Sequence, residues 1–261
     1  MLRAGVLVAA LAFVCAVSAA DHGPFPRIAD AYVVKRDGRV LWAGGEDTRR
    51  APASLTKMMT ALVILERGQL DETVVVSRAA SRERGSRIGL RAADQMRRRD
   101  LLAAAIMHSA NDACHALADD VGPTFVSKMN QRAASLGMKN TQFVDPCGWD
   151  KPGHYSTATD LARLAEVAMQ HPEYQRLARL RNTTIRTADG RRKFHVKNTN
   201  YLIGRYSGAV AGKTGTTGAA GYCLVALAER DGVRVTVVLL NSPKRWSITP
   251  RLMDRAFALQ M

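Results

Sequence analysis

Segments typical of β-strands lie at the two ends of the chain, and segments typical of helices fill the middle. Near the start, two short runs of β-type residues flank Asp37-Gly38, a pair that favours a tight hairpin turn. Near the end, two longer apolar runs meet at Asp231-Gly232, a second hairpin signal. This order predicts an α/β (α+β) fold in which one antiparallel sheet is built from both termini, is flanked by helices and carries an inserted all-helical subdomain.

The limits of the two parts follow from where the spacing of apolar residues changes. We assign residues 21–80 and 196–261 to the sheet part and residues 81–195 to the helical part. The predicted strands are Ala31–Val34, Val40–Ala43, Ala209–Gly215, Tyr222–Glu229 and Val233–Asn241. The first predicted helix begins near Ser54, and a last helix includes Ile248 and Leu259. The helices predicted between them cover Asp100–His108, Asp112–Ala118, Phe125–Leu136 and Thr159–Ala168. A cleft between the parts is the natural place for a site.

The first twenty residues resemble a targeting segment rather than part of the fold. A short basic start, an apolar run and small residues before Asp21 are typical of a cleaved secretory signal, which leaves residues 21–261 as a single domain. An uncleaved membrane anchor is the alternative, although the run is shorter than the roughly 20 apolar residues that a bilayer requires. No later segment is long and apolar enough to span a membrane, so we expect export to the periplasm or the cell-wall side of the inner membrane.

The formal net charge of +15 bears on possible partners. Such a charge favours anionic surfaces. Nucleic acid is not expected as a partner of an exported protein, which leaves cell-wall polymers or anionic head groups. An arginine-rich composition without any partner is the alternative reading.

Three cysteines follow the signal segment: Cys114, Cys147 and Cys223. An odd number cannot all pair, and none stands in a Cys-x-x-Cys arrangement, so we expect neither a disulfide framework nor a zinc site. Each cysteine is expected to pack as a small buried residue. His-Glu-x-x-His is absent from the sequence, so no metal and no cofactor is expected.

The segment Ser54-Leu55-Thr56-Lys57 stands where the first long helix is predicted to begin. Residues three apart share a helix face, so the lysine amine can reach the serine hydroxyl. A lysine whose charged form is disfavoured can take the serine proton and so produce a nucleophile. A helix-capping serine beside a solvated lysine is the alternative.

Two further segments carry groups suited to binding a peptide. In Ser109-Ala110-Asn111 a second hydroxyl can relay a proton and an amide can bind a peptide backbone, although Asn111 could simply cap a helix that starts at Asp112. In Lys213-Thr214-Gly215 a cation and a hydroxyl can hold a carboxylate, while the glycine leaves room for an extended peptide. The alternative here is a strand lysine that points into solvent.

The order and spacing of the three segments resemble those of the active-site serine penicillin-binding proteins and serine β-lactamases, whose motifs are Ser-x-x-Lys, Ser-x-Asn and Lys-Thr-Gly. The surrounding residues, among them Ser156-Thr157-Ala158 and Ala220-Gly221-Tyr222, are similar to the low-molecular-mass penicillin-binding proteins of the serine-type D-alanyl-D-alanine carboxypeptidase family. The resemblance covers about residues 25–245 and implies a β-lactamase/transpeptidase-like fold.

The resemblance also implies roles for the matching residues. Ser54 would be the nucleophile and Lys57 its base, and Ser109 with Asn111 would relay a proton and position the substrate. The substrate-binding residues would be Lys213, Thr214, Gly215 and Thr216, with the backbone N–H groups of Ser54 and Thr216 forming the oxyanion hole. The implied substrates are peptidoglycan peptides ending in D-Ala-D-Ala, and the implied covalent inhibitors are β-lactam antibiotics.

Several alternatives remain open. The chain lacks the length for the additional β-rich domain and anchor of many relatives, so we expect a soluble or loosely surface-bound enzyme without a stable membrane anchor. Some short relatives are D,D-endopeptidases that cleave cross-links. A β-lactamase would need a second base, and the region from Phe143 to Tyr155 offers Asp145 and Asp150 but no Glu-x-x-x-Asn pattern. A non-catalytic wall-binding module should have lost Ser54, Lys57 or Lys213, and all three are present.

Overall fold

The computed structural model describes residues 24–25 and 27–259, and the predicted signal segment lies outside them. Strands are numbered β1 to β9 and helices α1 to α8 along the chain. The elements are β1 (Ala31–Arg36), β2 (Arg39–Gly44), α1 (Lys57–Arg67), β3 (Thr73–Val75), α2 (Arg78–Ser81), β4 (Gln95–Arg97), α3 (Arg98–Ala103), α4 (Asn111–Val121), α5 (Phe125–Ser135), α6 (Ala158–Ala168), α7 (Pro172–Arg179), β5 (Asn182–Arg186), β6 (Lys193–Lys197), β7 (Ala209–Thr217), β8 (Gly221–Arg230), β9 (Val233–Leu240) and α8 (Arg245–Ala258).

The main sheet joins the two ends of the chain. Its five strands run in the order β2-β1-β9-β8-β7, and every neighbouring pair is antiparallel. Both predicted hairpin turns are present: Asp37 and Gly38 have φ values of 48° and 79°, and so do Asp231 and Gly232. Two consecutive positive φ values suit an Asp-Gly turn between twisted strands. The predicted fold class is therefore confirmed.

The sheet is buried on both faces because its side chains alternate between two apolar clusters. One face, which includes Val33, Val225 and Val238, packs with the helical part of the molecule. The opposite face, which includes Val34, Leu224 and Val237, is covered by α8 through Leu252, Met253 and neighbouring residues. The sheet is thus a layer between α8 and the inserted part, and β7 forms the edge at which the inserted part meets it.

The inserted part is mainly helical, as predicted, but it contains strands that the sequence analysis assigned to helix or left unassigned. The segments β5 and β6 form a separate hairpin, and β3 pairs with β4. Within the two strands of the hairpin, Ile185, Phe194 and Val196 are buried and the other residues are exposed or half-buried, a period of two that fits a strand rather than a helix. The helical prediction up to His195 was therefore wrong for this segment.

The expectation that no cysteines pair was also wrong. Cys114 on α4 and Cys147 form a disulfide with a Cα–Cα distance of 6.0 Å. The fold brings the two residues together although 33 positions separate them, and among residues 27–259 this leaves Cys223 as the free cysteine. Cys223 is buried, as expected. Within the residues that the structure describes, no helix has the length and apolar character to cross a bilayer.

Candidate active site

Ser54 lies in a 3₁₀ turn, Ala53–Thr56, that leads directly into α1, so a helical segment begins where the sequence predicted it. The turn is sharp, because Ala53 adopts a positive φ of 49°. It places the Ser54 hydroxyl within hydrogen-bond distance of Lys57, whose Nζ lies 2.9 Å from Ser54 Oγ. Ser54 is half-buried at the floor of a cleft, where a substrate can reach it.

Lys57 is fully buried at the start of α1. Besides Ser54, its amine donates to Asn111 Oδ1 at 2.8 Å and to the Cys147 carbonyl at 2.6 Å. Burial lowers the pKa of Lys57 to about 7, against the opposing charges of Asp145 and Glu83. A substantial fraction of the amine is therefore neutral near pH 7 and can accept the serine proton.

Ser109 and Asn111 approach the same cleft from the start of α4. Ser109 has a left-handed backbone, φ 60°, after a π-helical turn at Ala104–His108, and this places its hydroxyl beside Lys213. Asn111 does not cap α4, because its side chain instead bonds Lys57 and donates from Nδ2 to the Arg84 carbonyl at 2.7 Å. The Ser-x-Asn segment thus contacts both buried lysines.

Lys213 belongs to β7 but does not point into solvent. It is 1% exposed, and its Nζ donates to Ser109 Oγ at 2.7 Å and to the Thr214 carbonyl at 2.9 Å. Burial, together with the positive charges of Lys57 and Arg245, holds the pKa of Lys213 well below its usual range. The positive charge of Lys57 therefore disfavours the charged form of the neighbouring Lys213 amine.

Gly215 allows β7 to lie directly against the 3₁₀ turn that carries Ser54 (the Ser54 turn). A Cβ atom at this position would lie 3.0 to 3.1 Å from Ala53 Cβ, the Pro52 carbonyl and Ser54 N. The next residue, Thr216, lines the cleft together with Ser54. The glycine thus provides the close approach that an oxyanion hole made of Ser54 and Thr216 N–H groups would require.

A loop at residues 145–149 supports the Ser54 turn from the side opposite β7. The sequence analysis did not identify this loop as part of the site. Asp145 Oδ1 accepts backbone N–H groups from Cys147, Gly148 and Trp149, at 2.8, 2.8 and 3.2 Å. A Cβ atom on Gly148 would lie only 1.9 Å from the Ala53 carbonyl, so the loop packs tightly on the turn. The Cys114–Cys147 disulfide ties this loop to α4.

Two further residues were missed because no motif marks them. Arg245, at the start of α8, donates to the Gly215 carbonyl at 2.9 Å and to the Cys223 carbonyl at 2.8 Å. Thr199 shares a hydrogen bond of 2.7 Å with Thr214 across their hydroxyl groups. Both residues order the strand that carries the Lys-Thr-Gly segment.

His154 is a buried histidine that contacts the Ser54 turn through Thr56. Val144 N–H donates to His154 Nδ1 at 3.0 Å, which leaves the proton on Nε2, and this nitrogen lies 2.8 Å from Thr56 Oγ1. Thr56 in turn donates to the Ala53 carbonyl at 2.8 Å. Burial is the largest cause of the lowered pKa of His154. The neutral imidazole thus holds the turn through Thr56.

His115, Asp145 and Cys147 place their ligand atoms within 4.8 Å of one another, a spacing that could suit a metal ion. The sulfur of Cys147 is already bonded to Cys114, and Asp145 already accepts three backbone N–H groups. A disulfide sulfur is not a thiolate ligand, so we assign no metal to this group.

The cleft lies between the sheet part and the inserted part, where the sequence analysis expected it, and its volume is 230 Å³. Larger hollows elsewhere on the described surface contain none of the predicted site residues. The cleft is lined by Ser54, Gly85, Ser86, Ser109, Asn111, Cys147, Gly148, Trp149, Thr199, Thr214, Gly215, Thr216 and Thr217. The site combines a serine hydroxyl bonded to a buried lysine, a second serine hydroxyl bonded to another buried lysine, and an open strand edge. Together these features define a serine acyl-transfer enzyme.

Comparison with known proteins agrees with this class. The family model "D-alanyl-D-alanine carboxypeptidase" (Peptidase_S11) matches residues 26–244. The chain belongs to this family. The predicted resemblance is confirmed, together with the assignment to the serine-type D-Ala-D-Ala carboxypeptidases.

Three similar proteins illustrate the range of the family. The D-alanyl-D-alanine carboxypeptidase DacF of Bacillus subtilis is 35% identical over 87% of this chain, which spans 61% of that protein's length. A D-alanyl-D-alanine endopeptidase of Pseudomonas aeruginosa is 35% identical over 78% of this chain and 68% of its own. The crystal structure of the Streptomyces K15 DD-transpeptidase, 33% identical, superposes with a TM-score of 0.83 over 89% of this chain and 98% of its own.

Proposed function

We propose that this protein removes the terminal D-alanine from peptidoglycan stem peptides that end in D-Ala-D-Ala, through an acyl-enzyme at Ser54. The observation that carries the proposal is the pair of buried lysines, each bonded to a serine hydroxyl: Lys57 to Ser54 and Lys213 to Ser109. Activating a serine hydroxyl as a nucleophile needs one base. Cleaving a peptide bond also needs a group that gives a proton to the leaving amine.

In the proposed acylation, neutral Lys57 takes the proton of Ser54, and Ser54 Oγ attacks the carbonyl carbon of the penultimate D-alanine. Backbone N–H groups of Ser54 and Thr216 would stabilise the resulting oxyanion. Asn111 and the Cys147 carbonyl keep the Lys57 amine in place, at 2.8 and 2.6 Å. The C–N bond then breaks and the acyl group stays on Ser54.

In the second half of the proposed reaction, Ser109, which Lys213 holds by a hydrogen bond of 2.7 Å, relays to the departing amine of D-alanine the proton that Lys57 took from Ser54. Lys213 and Thr214 would hold the terminal carboxylate of the substrate. Water then attacks the acyl-enzyme and gives a proton to Lys57, which returns it to Ser54 Oγ at 2.9 Å as the shortened peptide leaves. β-Lactams would acylate Ser54 in the same way and remain attached, because their leaving group stays tethered.

A D,D-endopeptidase is the second candidate function, and relatives named as endopeptidases favour it. The Pseudomonas aeruginosa protein that is 35% identical over 211 residues is named an endopeptidase. Both reactions use the same attack on a D-alanyl carbonyl, and they differ in whether the leaving amine belongs to free D-alanine or to a cross-linked peptide.

A β-lactamase would need a second base, and the described residues of the region 143–155 offer none. Asp145 is occupied by three backbone N–H groups, and Asp150 accepts from Thr217 Oγ1 at 2.6 Å and from Ala219 N at 3.0 Å. Both carboxylates therefore serve as structural acceptors.

We propose a protein exported to the periplasm after loss of residues 1–20, with residues 21–261 as one catalytic domain.

The test combines mass spectrometry with product analysis. Incubation with benzylpenicillin should give a stable adduct on Ser54 that Ser54→Ala lacks. A diacetyl-Lys-D-Ala-D-Ala peptide should release D-alanine if the carboxypeptidase proposal holds, whereas cleavage of cross-linked muropeptides alone would favour the endopeptidase. A folded protein that forms neither adduct nor product would show that the proposal is wrong and would favour a non-catalytic wall-binding module.

A further inference from the structure

The hairpin of β5 and β6 has one exposed face whose only ionised side chains are positive. Its cross-strand neighbours are Asn182 with Lys197, Thr184 with His195, and Arg186 with Lys193, and all six residues are exposed. We call these six residues the hairpin face. Like charges placed directly opposite each other, as in the pair of Arg186 with Lys193, destabilise a sheet. A face that carries such a pair without an acidic neighbour is suited to binding an anionic partner.

The positive charges on this face are unneutralised within the protein. Over residues 27–259, no carboxylate lies within 4.0 Å of Arg186, Lys193 or Lys197, and none of these side chains makes a hydrogen bond. The nearest acid in sequence, Asp189 at the hairpin tip, already bonds Thr187 and pairs with Arg191. The three cations are therefore free to bind another molecule.

The hairpin face is continuous with the active-site cleft. The Lys197 carbonyl lies 3.3 Å from His108 Nδ1, the residue before Ser109. Two residues further along the chain, Thr199 lines the cleft and bonds Thr214. Successive residues on one face of a strand lie about 7 Å apart, so the cations form a short row that ends beside the cleft.

We propose that the hairpin face binds the acidic peptide portion of a polymeric substrate while one of its stem peptides occupies the cleft. This inference rests on the proposed function and names a substrate class for it: peptidoglycan strands whose peptides carry carboxylates in addition to the terminal one. The continuity with the cleft favours the substrate itself over a separate partner. Clustered charge of this kind raises the rate of encounter with an oppositely charged substrate by about tenfold or more at low salt.

The test compares a hairpin variant with a matched control. The variant Arg186→Ala/Lys193→Ala/Lys197→Ala removes one arginine and two lysines from the hairpin face. The control Arg39→Ala/Lys128→Ala/Lys139→Ala removes the same charges from three exposed positions on β2, on α5 and after α5, whose side chains also make no hydrogen bond or ion pair. Acylation by benzylpenicillin and hydrolysis of diacetyl-Lys-D-Ala-D-Ala should be unchanged in both, which shows that each is folded and that the cleft is intact.

On soluble, uncross-linked peptidoglycan strands, the hairpin variant should lose about tenfold in kcat/KM at low ionic strength, and the control less than twofold. Raising the salt from about 0.05 M to about 0.5 M should remove most of the difference, because exposed charges are then screened. Equal losses in the two variants, or no loss in the hairpin variant, would overturn the proposal.

A membrane surface is the other possible anionic partner, and sedimentation with vesicles tests it. If the hairpin variant binds phosphatidylglycerol-containing vesicles more weakly than the control does, yet hydrolyses the peptidoglycan strands normally, the face is a lipid contact and the proposal is wrong. Failure of wild-type protein to acquire the benzylpenicillin adduct would instead contradict the proposed function.

Discussion

Lys57 sets the pH dependence of the proposed reaction, because its pKa is lowered to about 7 by burial. Only the neutral amine can take the serine proton. We expect kcat/KM for the peptide, and the rate of acylation by benzylpenicillin, to rise with pH through about 7. Lys57→Met should remain folded, because it keeps the apolar stem and removes a buried charge, but should slow acylation by orders of magnitude. Retained acylation in folded Lys57→Met would contradict the role of Lys57 as base.

Glu83 supplies a finer test of the same assignment. Its negative charge raises the pKa of Lys57, and its carboxylate accepts from Trp149 Nε1 at 3.2 Å, a bond that glutamine can keep. Glu83→Gln should therefore shift the acid limb of the acylation profile to lower pH. A shift to higher pH, or none, would mean that another group controls this limb.

His154 links pH to stability rather than to chemistry. Burial lowers its pKa below the ordinary value of 6.5, so the unfolded chain binds a proton more readily than the folded one. The stability that this neutral imidazole provides is full above about pH 6.5 and is lost as the pH falls below that value. At pH 7, His154→Gln should cost about 1–3 kcal/mol, since Thr56 and Val144 lose their partner.

Urea unfolding at pH 7 and pH 5 measures this effect. The difference in free energy of unfolding between wild type and His154→Gln should be smaller at pH 5 than at pH 7. A difference that stays constant or grows on acidification would show that His154 is not neutral in the folded protein.

At the level of structural elements, the disulfide stabilises both the fold and the site. The bridge closes a loop of 33 residues, which corresponds to about 3–4 kcal/mol in the chain-entropy description. Cys114→Ala/Cys147→Ala should lose about that amount of stability, and its acylation should slow because the loop whose residue-147 carbonyl accepts from Lys57 is no longer tied to α4. Cys223→Ala, at a buried but unpaired cysteine, is the control for the loss of a small side chain. Equal urea midpoints for the two variants would contradict this role.

Elements with strong local signals were predictable from the sequence, and those that depend on distant contacts were not. The two Asp-Gly turns and the long amphipathic helices need only neighbouring residues to be recognised. The β5–β6 hairpin has few apolar residues to reveal its period, although Asp189-Gly190 at its tip was a usable signal. No local pattern indicates that Cys114 lies beside Cys147, because α4 and the loop at residues 145–149 meet only in the folded molecule.

At the scale of the whole molecule, the three motifs identified the site because each stands on a different element. Ser54 precedes α1 and Ser109 precedes α4, and both line one cleft of 230 Å³, while Lys213 on β7 is buried and bonded to Ser109 Oγ. What the motifs could not indicate is the support around them. Arg245, Thr199 and His154 act through backbone carbonyls and neighbouring hydroxyls, which many sequences could provide.

The sheet built from both ends of the chain has a consequence for the order in which the protein is made. Strand β1, near the beginning, is paired along its inner edge with β9, so that Val33 lies opposite Val238. Until β9 has left the ribosome, β1 has only β2 as a strand partner among the strands that the structure describes, and a lone hairpin is marginal in water. We therefore expect the sheet, and the cleft beside it, to form only after β7 to β9 have been made.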